Sequence, residues 1–313
     1  METVIDATRL IPGAITTRIL SDRGYNVIKF EDTGKGDYMD ELSPGANDFL
    51  NHGKKSICVN LKTAEGKEIF YRLIKTASVF IENFSEGVAE RLCIDYLTLH
   101  RLNPQLVYCS IKGYRENPEL PAHDINFTAF SGIDITLPVQ IADAGSGIYA
   151  AMEIINHLKN RDYSKVTVNM SDIPLYFNAY NLFTENNVLN GKYPCYRIYP
   201  VYDGKVALGC LEQKFWANFT EAIQRKDLEN FRLNLNINKE IENIFLQYNS
   251  MEILELGRKY NFPVSAVRTK EEIISGLNSE HAPGHGENTD EILKNNDYKN
   301  DEIDNLKNKK IVK

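Results

Sequence analysis

The sequence predicts an α/β protein, with a Rossmann-like doubly wound parallel sheet in a large domain and a smaller α+β domain beside it. Three observations carry that expectation. Short apolar runs alternate with helical periodicity through the first half of the chain, a hairpin signal breaks the rhythm near residue 200, and 313 residues exceed the length at which one core stops growing.

In chain order, Pro12-Gly13 reads as a turn entering a helix over Ala14–Leu20, and Asn26–Phe30 as the first strand, so the expected opening is helix then strand. Ser56–Leu61 is a second strand. Ile69, Phe70, Leu73 and Ile74 fall at helical spacing within Thr63–Thr76, and Val79–Ile81 is a third strand. Val88–Cys93 and Tyr96–Arg101 read as short helices before the strand Leu106–Ser110. Gly145-Ser146-Gly147 opens a helical run to Leu158; Val166–Met170 and Asp172–Thr184 then give another strand and helix. Tyr196–Tyr202, Asp203-Gly204 and Lys205–Gly209 form the hairpin, followed by a helix over Glu212–Ile223. These boundaries place the large domain at 1–185, completed by 281–313, the small domain at 193–268, and linkers at 186–192 and 269–280. The Asn- and Lys-rich end of the chain is a fraying candidate.

Composition narrows the function. A net charge of -7, with 42% hydrophobic and 25% charged residues, leaves no nucleic-acid footprint and gives no reason to invoke a membrane surface. No apolar run spans a bilayer, no leader is evident, and a cytoplasmic location is expected. The five cysteines, Cys58, Cys93, Cys109, Cys195 and Cys210, are odd in number and lack C-x-x-C spacing, so they read as reduced core residues and no metal is expected. Gly34-Lys35-Gly36 is too short for a dinucleotide fingerprint, so the sheet is no sign of NAD.

Two stretches carry candidate chemistry. His123 stands beside Asp124 where a loop runs into a helix; imidazole suits a general acid or base, while Asp124 as a helix N-cap and His123 as a partly buried, backbone-bonded residue is the plainer account of the pair. Asp143 lies at a strand end or helix start, and Gly145 and Gly147 would let a substrate approach, although an N-cap is a sufficient account. Glu212 begins a helix, where charge complementing the dipole is enough to explain it. Lys54, Lys55 and Arg91 flank strands and are either solvated or a grip on phosphates.

Taken together, these pieces resemble the α-methylacyl-CoA racemases of the class III CoA-transferase (CaiB/BaiF) family. The likeness rests on Leu10–Ala14, Gly24–Lys29, Gly53–Ser56, Ile81–Phe84 with Gly87–Leu92, Asn103–Tyr108, His123–Phe127, Ala142-Asp143, Leu211–Phe215 and Gly286–Leu293. It implies the family III fold, an acyl-CoA substrate and an interlocked homodimer, with no cofactor beyond the coenzyme A of the thioester itself. For the residues it implies that His123 and Asp143 exchange a proton at the α-carbon through an enolate, that Asp124 offers its backbone N–H to the thioester oxygen, and that Glu212 orients His123. Arg91, Lys54 and Lys55 would meet CoA phosphates. In the transferases the matching aspartate is instead a nucleophile that forms an acyl anhydride and then a CoA thioester; a third possibility is a protein that binds acyl-CoA without reacting it. The stretches 133–142 and 186–196 are compressed relative to the family, which leaves acyl length and stereochemical preference open.

Overall fold

The computed structural model describes residues 2–277 and 280–313. It divides into two compact units, Met1–Ala179 with Asn278–Lys313, and Tyr180–Leu277.

The first unit is built on six parallel strands: β1 (Thr3–Ala7), β2 (Asn26–Glu31), β3 (Lys55–Cys58), β4 (Val79–Glu82), β5 (Val107–Lys112) and β6 (Lys165–Asn169), in the order β3-β2-β1-β4-β5-β6. That is a doubly wound sheet, whose strand order reverses between β1 and β4. The side chains obey its period of two. Phe80 and Tyr108 join one apolar layer, while Val79, Ile81, Val107 and Cys109 join the other, so both faces are covered. The helix Ala64–Thr76 covers the first layer with Ile69, Phe70, Leu73 and Ile74, at the spacing expected from sequence.

Several sequence expectations change. A strand, β1, precedes the first helix, because Asp6 interrupts an apolar run too short to be recognised alone. That helix spans Leu10–Ser21, with Pro12 and Gly13 inside it and buried. The chain end does not fray: Ile311 and Val312 are 3% exposed, Val312 bridges Val59, and the Ile311 carbonyl accepts from Asn60 N–H at 2.8 Å.

The second unit holds the hairpin β7 (Tyr196–Val201) and β8 (Gly204–Gly209), and a third antiparallel strand, β9 (Val264–Ala266), unseen in the sequence because it is only three residues long. Its core includes Trp216 and a stack of Tyr199, Phe245 and Phe219, with ring centroids 4.7 and 5.6 Å apart. The stretch read as a linker from 269 contains a capped helix, Lys270–Ile274. Residues 278 and 279, also assigned to that linker, lie outside the described residues. No helix among the described residues is long and apolar enough to cross a membrane.

Candidate active site

The site begins where the chain leaves β5 and winds to the helix Ile141–Asn160. A short helix, Asp124–Phe130, interrupts the loop, and His123 is its N-cap, in extended backbone at φ -123° and ψ 173°. Asn126, three residues on, accepts the His123 backbone N–H at 3.0 Å, the far half of a capping-box arrangement. Sequence reading missed this role of Asn126; the N-cap to N3 spacing was its signal. The short helix is anchored by Phe127, 1% exposed, whose ring meets Tyr114 edge-on at 5.1 Å. His123 itself is exposed.

Asp143 lies in the first turn of the long helix, whose N-cap is Gln140, so Asp143 is not the cap. Asp124 is the first residue of its own helix, also not a cap. Its carboxylate accepts the Asp143 backbone N–H at 3.0 Å, which brings the two acids together across nineteen residues of sequence. Burial pushes the Asp143 carboxyl up to about 6, the neighbouring Asp124 adds to the rise, and His123 opposes it. His123, Asp124 and Asp143 therefore share one electrostatic environment. No Lys or Arg forms an ion pair with Asp143 among the described residues.

The glycines behind Asp143 have a different purpose from the one read in the sequence. A Cβ on Gly145 would sit 2.6 Å from Ile173, and one on Gly147 would sit 2.5 Å from the Pro12 carbonyl. They let the long helix pack tightly against its neighbours, and Thr16 Oγ1 donates to the Gly147 carbonyl at 3.0 Å across one of those contacts. They set the position of Asp143 and open no substrate path.

The basic candidates separate. Lys54 is wholly buried, and its ammonium donates to Thr17 Oγ1 and Asn51 Oδ1 at 2.6 Å and to the Ala14 carbonyl at 3.2 Å, with Asp6 at 3.9 Å. All three of its N–H bonds are used inside the protein, which leaves none for a phosphate. Lys55 is partly exposed and pairs with Glu291. Arg91 is exposed at the end of the helix Val88–Leu92. At the sheet's reversal point, the Asn83 side chain ties to the Arg9 backbone in both directions, at 3.0 and 2.8 Å. Glu212 is in the second unit, exposed, as the N-cap of the helix Gln213–Ala222.

The chain belongs to CoA-transferase family III, whose family profile matches residues 2–282. Among curated relatives it is 32% identical over 192 residues to the formyl-CoA:oxalate CoA-transferase of Afipia carboxidovorans, covering 54% of this chain and 45% of that protein. It is 39% identical over 139 residues to the acetyl-CoA:oxalate CoA-transferase of Acetobacter aceti, covering 42% and 36%. The chain thus matches under half the length of these relatives. Among solved structures, a CAIB/BAIF family protein from Brucella suis superposes with a TM-score of 0.80 at 21% identity, covering 94% of this chain and 98% of that one. Rv3272 from Mycobacterium tuberculosis gives 0.78 at 22%, covering 93% and 98%. Both share the fold.

Proposed function

We propose that the protein exchanges the α-proton of a 2-methyl-branched acyl-CoA thioester, interconverting its two configurations through an enolate. The observation that carries this reading is the grouping of His123, Asp124 and Asp143, with the Asp143 carboxyl raised to about 6. An acid whose ionisation falls near neutral pH can both give and take a proton, and so can a histidine. From one configuration His123 removes the proton and Asp143 supplies one to the opposite face; from the other the roles reverse. The backbone N–H of Asp124 offers a donor for the thioester oxygen as charge develops there. Within this proposal Arg91 meets CoA phosphates, and two copies of the chain assemble as an interlocked dimer.

A second reading is CoA transfer, with Asp143 as nucleophile, and the names of the curated relatives favour it. Against an oxalate-like acceptor stands the local charge. No Lys or Arg occurs between Arg115 and Lys159, and Arg115 is already paired with Asp172. Ile125, Phe130 and Val139 are more than half exposed in the same stretch, which suits an apolar acyl group.

One incubation separates the readings. A 2-methylacyl-CoA in deuterium oxide should gain deuterium at C2, and His123→Ala should abolish the gain. An absence of label, together with an Asp143-linked CoA adduct trapped by hydroxylamine, would replace this proposal with CoA transfer; binding with neither would leave a non-catalytic acyl-CoA-binding protein.

A further inference from the structure

Glu31 ends β2 and Cys58 ends β3, and the parallel ladder sets them opposite each other, so their side chains leave the same face of the sheet at its carboxyl edge. A third residue arrives from far along the chain. The Gly286 N–H donates to Ser56 Oγ at 2.8 Å, while the Ser56 and Cys58 N–H groups donate to Asn288 Oδ1 and Thr289 Oγ1 at 3.0 and 3.2 Å. These bonds pin the segment carrying His285 against β3. One ligand-type atom from each of Glu31, Cys58 and His285 then lies within 4.8 Å of the other two.

The lone pairs in this cluster are not used up inside the protein. The Glu31 carboxylate accepts from Ser56 Oγ at 2.5 Å and from the Asp37 N–H at 3.1 Å, one bond to each oxygen, which leaves each oxygen a lone pair. No Lys or Arg pairs with Glu31 among the described residues; Lys29, on the same strand, pairs with Asp37. His285 meets the Asp32 carbonyl through Nε2 at 2.8 Å, and because a carbonyl only accepts, Nε2 carries the proton and Nδ1 keeps its lone pair. The Lys313 ammonium donates to that lone pair at 3.0 Å. Lys313 is exposed and its charge also acts on the Cys58 thiol, so a cation is already drawn to the cluster.

We propose that Glu31, Cys58 and His285 bind one zinc ion, which fastens the edge of the sheet to the segment around Gly286. Tetrahedral zinc with bonds of about 2.0–2.3 Å holds its ligand atoms about 3.6 Å apart, so inward side-chain movements of roughly 1 Å assemble the site. On coordination the Cys58 thiol releases its proton to solvent and the Lys313 ammonium turns outward. Thiolate and carboxylate then balance the two charges of the ion, the imidazole stays neutral, and water takes the fourth position. A thiolate with an imidazole suits zinc and not the hard cations magnesium and calcium. The Nε2–H bond to Asp32 and the Ser56 bond to Glu31 persist, holding two of the ligands in orientation. Cysteine spacing does not reveal the site because its ligands come from three distant stretches of chain.

The test is independent of the acyl-CoA reaction and uses the whole chain without substrate. The protein is stripped with EDTA, the chelator is removed, and zinc chloride is titrated by calorimetry, with cobalt(II) as an optical probe. The expected results are one zinc per chain, a melting temperature that rises with zinc, and a cobalt–thiolate charge-transfer band. Cys58→Ser should abolish the band, and both Cys58→Ser and His285→Ala should weaken zinc binding at least about tenfold. His285 is only partly buried, so His285→Ala reads the site even where the cysteine variant fails to fold. Lys313→Met, which removes the competing ammonium, should tighten binding several-fold. No zinc bound, or wild-type affinity in His285→Ala, overturns the proposal, as does a Lys313→Met affinity no tighter than wild type.

Discussion

Two acids of the first unit, Asp6 and Asp143, differ in burial and in company: Asp6 is wholly buried and Asp143 partly so. Asp6, in β1, accepts from Thr8 N–H, Thr8 Oγ1 and Thr17 Oγ1 at 3.0, 2.5 and 2.7 Å, and the Lys54 ammonium stands at 3.9 Å. Asp143 has no lysine or arginine partner among the described residues and has a second acid as its neighbour. A buried carboxylate held by three donors ties elements together; one raised by burial, with a like charge beside it, titrates near 6. The first is architecture and the second is available for chemistry.

The largest expected effects are on rate. Asp143→Asn and His123→Ala should each lower solvent-deuterium incorporation by about 10²–10⁴-fold, the range a positioned acid or base contributes, with folding unchanged by circular dichroism. Next comes stability. Lys54→Met strands Asp6 in the core and should cost about 3 kcal/mol in denaturant unfolding, while Lys55→Met, which breaks an exposed pair, should cost well under about 1 kcal/mol. Equal losses at the two lysines would erase the contrast between buried and exposed cations.

Smaller effects concern ionisation. Removing the charge next to Asp143 with Asp124→Asn should move the acid limb of the exchange pH profile below its expected position near 6. The sign of the stability effect follows from the same shift. A carboxyl raised in the folded state from 3.8 to about 6 favours folding below 3.8, and that contribution is lost as pH rises through 6. Asp143→Asn should therefore raise the melting temperature at pH 8, with the gain shrinking toward pH 4. A gain that grows toward pH 4 would mean that Asp143 is held ionised by a partner.

The same contrast explains what the sequence could reveal. Strands β2 to β6 and the helix Ala64–Thr76 were legible because each pairs an apolar run with the right period. β1 was not, since Asp6 answers to Thr17 in the next helix and to Lys54 far along the chain, partners that no local pattern connects. His123, Asp124 and Asp143 were visible as residue types, yet the hydrogen bond joining Asp124 to Asp143 is a tertiary fact. Lys54 looked like a phosphate grip because spacing cannot tell a buried ammonium from a solvated one. Gly145 and Gly147 looked like room for a substrate because a glycine reports only that something is near, and here it is Ile173 and Pro12.

On the proposed chemistry, Asp143 and His123 share one α-proton. Each enantiomer of a 2-methylacyl-CoA, incubated separately in deuterium oxide, tests it most directly by mass and chiral analysis. Deuterium at C2 from both enantiomers, converging on a racemic mixture, is the predicted result. Unlabelled, unconverted thioester from both, with CoA found on Asp143, would contradict it.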